Sequence, residues 1–168
     1  MKLKKFIMCA LFLTMGFLLH QITPPILFGM KPDFLLIMMF IAIIFSGNDY
    51  KMILTVGIVS GILSSLASTF PGGQLPNILD KLVTSHVVYL LLKVLKNRVS
   101  ENIKMIIISI LGTVISGIVF LTSAFFMVGL PTSFTVLILT VVVPATLINT
   151  FVGGFLCKIV QKAMKYSF

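Results

Sequence analysis

Asp80 and Lys81 stand side by side at the end of Pro71-Gly72-Gly73-Gln74-Leu75-Pro76-Asn77-Ile78-Leu79, where an otherwise apolar segment begins. An ionisable group held at membrane depth costs on the order of 3 kcal/mol on insertion scales, so opposite charges at such a place point to a binding site. With Asn77 capping a helix that starts there, Asn77, Lys81 and Thr84 share one helical face, and Asp80 lies beside them one turn from Thr84. Helix-end amides, an ammonium and a carboxylate are then gathered together. That set suits a zwitterion, whose carboxylate takes Lys81 or the free N–H groups and whose ammonium takes Asp80. A second reading stays open: Lys81 snorkels to the interface and Asp80 merely favours a helix N-terminus.

Other polar residues join this set. Gln74 and the Gly72-Gly73 backbone offer further amides, and glycine there supplies φ > 0 where the chain must turn. Lys31 and Asp33 flank Pro32, either as site residues or as caps of the helix that follows. His86 and Asn149 lie inside apolar segments, where each either faces a cavity or bonds one helix to another. Phe70, Phe125, Phe126, Met127 and Phe134 offer aromatic and sulfur surfaces for a flat apolar ligand, or else form an interfacial belt.

The elements that must hold these residues are membrane spans. The 168-residue chain is 58% hydrophobic and 10% charged, and its mean hydropathy of +1.17 lies outside the range of soluble domains. Six apolar runs are candidates: Phe6 to Ile22, Phe34 to Ser46, Met52 to Thr69, Ile78 to Leu95, Met105 to Val128 and Phe134 to Val160. The second is short for roughly 30 Å of hydrocarbon and must tilt, re-enter or lean on its neighbours. Eleven of the thirteen cations, at positions 2, 4, 5, 51, 93, 96, 98, 104, 158, 162 and 165, fall on one side of a six-span arrangement. By the positive-inside rule that side, with both termini, is cytoplasmic, leaving Lys31 and Lys81 at the other end.

The expectation is therefore one all-α, multi-pass membrane domain over residues 1–168, located in the cell membrane and surrounded by lipid. Its net charge of +9 flanks apolar segments and is not interleaved with aromatics, which argues against nucleic acid. The four acids Asp33, Asp49, Asp80 and Glu101 are scattered, and no catalytic or P-loop pattern occurs, so no enzyme is expected. Cys9 and Cys157 form no CxxC or Cys/His cluster, so neither metal nor cofactor is expected. No small-x-small cleavage site follows the first apolar run, which reads as a retained helix.

Small residues mark helix faces that approach closely: Gly57, Gly61, Ser64, Ser65 and Ser68 in the third run, and Ser109, Gly112, Ser116, Gly117 and Ser123 in the fifth. Pro144 and Gly153-Gly154 should bend the sixth. The segment from Thr23 to Asp33, stiffened by proline and mostly apolar, reads as a lid over the outer end.

Gly29-Met30-Lys31-Pro32-Asp33-Phe34 and Phe70-Pro71-Gly72-Gly73-Gln74-Leu75-Pro76-Asn77-x-x-Asp80-Lys81, in a six-span chain of this length, resemble the tryptophan-transporter (TrpP) family. That family is similar in turn to the substrate-binding S components of energy-coupling-factor (ECF) transporters. The resemblance runs over essentially the whole chain and implies tryptophan uptake. Energy would come from a separate module of one transmembrane subunit and two ATPases. It implies outer loops that gate a pocket and small residues on the first helix that dock to the module; where Ala-x-x-x-Ala is expected, this chain has Ala10-x-x-x-Thr14. Absence of Trp from the chain agrees with a protein made during tryptophan shortage. An S component for another small ring compound, such as a vitamin, and a cell-shape membrane scaffold are the competing readings.

Overall fold

The computed structural model describes residues 2–24, 32–47, 49–96 and 98–166, and every regular element among them is helical. They are α1 (Lys2–Ile22), α2 (Phe34–Ser46), α3 (Tyr50–Leu66), α4 (Gln74–Leu95), α5 (Glu101–Met127), the short α6 (Phe134–Leu137), and α7 (Val143–Tyr166), with a π-helical turn at Ile138–Val142 joining the last two. Residues 25–31 of the expected lid, Lys31 among them, lie outside the described residues.

α2 explains the short second run. Its 13 residues rise only about 20 Å, too little to cross a bilayer unaided. Residues Leu35 to Ile43 are at most 2% exposed, because α1, α3, α4, α5 and α7 all pack against it. A helix that is apolar all round belongs in an interior, and α2 is the core of this bundle. Asp33 caps it, its Oδ1 accepting from Leu36 N at 2.9 Å. At the other end Gly47 closes the helix with φ +71°, its N–H bonded to the Ile44 carbonyl.

Around that core the long helices turn apolar faces outward. Leu11, Leu18, Ile62, Leu111, Phe151 and Phe155 all stand exposed, which suits contact with lipid tails. Among the described residues, three helical stretches are long and apolar enough to cross a membrane: Leu3–Ile22, Glu101–Met127 and Phe134–Ala163. The protein is an all-helical membrane protein, and its helices run past several of the apolar runs into polar sequence. Glu101 and Lys104, paired at 2.6 Å, extend α5 by one such turn.

The small-residue stripes are packing seams. A Cβ at Gly57 would run into Ser85 Oγ of α4, and one at Gly61 would stand 3.1 Å from Ile78 Cα. Gly112 receives the ring of Phe40 in the same way. His86 also serves packing: its Nε2 meets Tyr50 Oη at 2.7 Å and its Nδ1 lies 2.7 Å from the Leu82 carbonyl. Near Pro144 the chain departs from α geometry, since proline's ring clashes with the carbonyl four residues back, here Thr140. The π turn absorbs that conflict, with Val143 N–H reaching back to Ile138 O.

One expectation needs correction. α4 starts at Gln74, a turn earlier than expected, so Asn77 is not its cap. Gly72 takes φ +71° and Gly73 holds the N-cap position, while Pro76 fits in the first turn, where its missing N–H leaves no bond unmade. Asn77 instead folds back inside the helix, both its N–H and its Nδ2 donating to the Gly73 carbonyl, at 3.0 and 2.7 Å.

Candidate functional site

The early start of α4 sets Asn77, Asp80, Lys81 and Thr84 at helical spacing on a face turned toward α2, α5 and α7. Asp80 and Lys81 are only 1% and 2% exposed, so the snorkelling alternative does not describe them. Lys81 Nζ donates to Asp80 Oδ2 at 2.6 Å. Asp80 Oδ2 also accepts from Ser116 Oγ of α5 at 2.9 Å, and Oδ1 accepts from Thr84 Oγ1 at 2.9 Å. Charges taken from water are tolerable only when paired and hydrogen-bonded, and this carboxylate has a donor at each oxygen.

Lys81 reaches beyond its own helix. Its Nζ stands 3.4 Å from Asp33 Oδ2 and 3.4 Å from Ser116 Oγ. Asp33 thus has two roles, capping α2 through Oδ1 and meeting Lys81 through Oδ2. His20 of α1 approaches the same carboxylate, Nδ1 to Oδ1 at 3.8 Å. From α7, Asn149 Oδ1 accepts from Asp33 N at 2.9 Å, and its Nδ2 donates to Thr113 Oγ1 at 3.4 Å. Side chains of α1, α4, α5 and α7 therefore converge on the N-terminus of the core helix.

Two hollows flank this cluster. One, of about 200 Å³, is lined by Asp80, Lys81, Ser116 and Asn149, with Val141, Val142 and Ala145 as its apolar wall. The π turn supplies part of that wall. The other, of about 180 Å³, is lined by His20, Ser64, Ser68 and Thr69, with Phe70 set edge-on to Phe120 at 5.5 Å between ring centroids. Asp33, Asn77 and Phe120 border both. Each hollow is smaller than the roughly 300–1,000 Å³ typical of small-molecule sites, and the residues common to both linings set the two side by side.

The family comparison bears on a chain with this architecture. The sequence profile of a family described as "Tryptophan transporter TrpP" matches residues 2–165. The chain belongs to that family. Among its relatives, a protein of Clostridium acetobutylicum named "Probable tryptophan transport protein" is 52% identical over 168 residues, covering 100% of this chain and 98% of the relative. Proteins of the same name from Clostridium perfringens and Bacillus subtilis are 44% and 42% identical, covering 93% and 99% of this chain and 90% and 96% of their own lengths. No solved structure matches the chain.

Of the residues singled out in this TrpP-family sequence, Asp33, Asn77, Asp80, Lys81 and Asn149 meet around the hollows, and Thr84 supports Asp80 from behind. Gly72 and Gln74 are exposed in the turn and first helical residue, above the hollows, while Gly73 is buried as the α4 N-cap and its carbonyl is occupied by Asn77. None of the three lines either hollow. Phe125, Phe126 and Met127 are more than half exposed and Phe134 lines neither hollow, so of the expected aromatic ring it is Phe70 that faces inward. Sequence reasoning missed His20, Thr113, Ser116 and Phe120. Ser116 was visible only as one member of a small-residue stripe, and Thr113 one turn before it was the signal that the stripe also carries hydroxyls inward.

Proposed function

We propose that this chain is a six-span membrane subunit, both termini cytoplasmic, that captures tryptophan at the outer end of the bundle for uptake across the cell membrane. The amino-acid head sits among Asp33, Asp80 and Lys81, within reach of the Asn77 and Asn149 amides, and the indole lies against Phe120 and Phe70. The observation that carries this reading is the buried Asp80–Lys81 pair beside a hollow, in a family whose relatives are named for tryptophan transport. Removing two charges from water is costly enough that apolar side chains would have packed this position more favourably, unless the charges serve a ligand.

The chain acts as the S component of an ECF-type transporter, with a separate transmembrane subunit and two ATPases as its energising module. Its exposed α1 surface, including Ala10 and Thr14, is the face available to that module. Labelled tryptophan uptake by cells expressing the chain with and without such a module tests the assignment. Uptake that requires the module supports it. Uptake by the chain alone rejects the S-component role, and no tryptophan uptake in either case rejects the substrate.

A further inference from the structure

The donors and acceptors of the charged cluster are unequally committed. Lys81 has three N–H donors, and the three neighbours that take them are Asp80 at 2.6 Å, Asp33 at 3.4 Å and Ser116 at 3.4 Å. Asp80 accepts from Lys81, Ser116 and Thr84 and is enclosed, its side chain 2% exposed. Asp33 differs: its side chain is 32% exposed, it borders both hollows, and its link to Lys81 is the long one. Two carboxylates face one ammonium here, with His20 beside Asp33. A ligand carboxylate therefore meets a Lys81 already engaged by two carboxylates, and a ligand ammonium reaches the more exposed Asp33 before the enclosed Asp80.

Resting on the reading above that these hollows receive tryptophan, we infer that the Lys81–Asp33 bridge is the exchangeable half of the site. A zwitterionic α-amino acid opens it, placing its ammonium on Asp33 Oδ2 and its carboxylate on Lys81 Nζ. Asp80, Thr84 and Ser116 remain in place as a fixed clamp that holds the lysine. The exchange leaves every charge paired. A ligand with a carboxylate alone takes Lys81 from Asp33 and leaves Asp33 with no ammonium at Oδ2, while a ligand with an ammonium alone gains Asp33 but leaves Lys81 with Asp80 as its one anionic partner and nothing in place of the bridge. Selection for the zwitterion thus comes from the bridge itself, and the ammonium contact is Asp33, not Asp80.

Calorimetric titration of the purified full-length protein with L-tryptophan, tryptamine and indole-3-propionate tests this, in the native sequence and in Asp33→Asn. Asparagine is as good a helix cap as aspartate, so the variant keeps α2 capped and removes only the charge. In the native protein indole-3-propionate should bind roughly 100-fold more weakly than tryptophan, and tryptamine, which loses the Lys81 contact without stranding a charge, roughly tenfold more weakly. In Asp33→Asn, with an unchanged melting temperature, tryptophan should weaken and its advantage over indole-3-propionate should shrink to about tenfold or less. Tryptamine binding as tightly as tryptophan to the native protein overturns the exchange while leaving tryptophan capture standing. Full discrimination retained by Asp33→Asn also overturns it. No binding of tryptophan by the native protein overturns the functional reading and this inference with it.

Discussion

Asp80 is held by three groups on two helices, and each removes part of the cost of burying its charge. Ser116 Oγ donates to it at 2.9 Å and lies within reach of Lys81, so it fixes the geometry of the pair without carrying charge itself. Hydrogen bonds to charged groups contribute about 1.5–3 kcal/mol. Ser116→Ala should therefore weaken tryptophan binding by roughly tenfold or more in a calorimetric titration. His86→Ala is the contrasting case, because that ring is committed to Tyr50 and lines neither hollow. Its affinity should stay within about twofold of native while thermal stability falls, as expected for a lost packing bond. A large loss of affinity in His86→Ala would mean that the site extends down α4 past Thr84.

Among the elements, α3 and α4 meet most closely, and Gly57 and Ser85 set the distance. An added Cβ at Gly57 collides with Ser85 Oγ and would come within 2.9 Å of Ser85 Cβ. Gly57→Ala should destabilise the protein by about 1–3 kcal/mol, the usual cost of overpacking. The double variant Gly57→Ala, Ser85→Gly removes the atoms in conflict and should recover most of the loss in a thermal melt; no recovery would show that the glycine serves something other than this contact. The seam was legible in the sequence because small residues at four-residue spacing have few other uses in a bilayer. The burial of α2 was foreshadowed too, by a run too short to span and apolar on every side. The π turn was not legible, since one inserted backbone residue leaves hydropathy unchanged. The start of α4 was misplaced for a similar reason: Pro76 and the paired glycines read as loop, yet proline is at ease in a first helical turn.

At the scale of the whole molecule, the sequence pointed to the charged centre of the candidate site but not to the residues that surround it. Asp80, Lys81, Asn77 and Asp33 announced themselves as polar residues in apolar surroundings. Phe120, Thr113 and Ser116 were hidden in a helix where aromatics and small residues are ordinary, and only the packing of α5 against α4 and α7 turns them inward. The proposed six-span arrangement would place positions 4, 51, 96 and 162 on the cytoplasmic side; cysteines introduced there should then resist an impermeant thiol reagent in intact cells, whereas one at Gly129 should react. Labelling at position 51 would remove that topology. The central claim is that Lys81, held in place by buried Asp80, binds the head of a tryptophan molecule. Its most direct test is calorimetric titration of tryptophan into the purified native protein and into Asp80→Ala and Lys81→Ala, each first shown to be folded and monodisperse. Saturable binding by the native protein that weakens by roughly 100-fold or more in both variants is the predicted result; equal affinity in all three would contradict it.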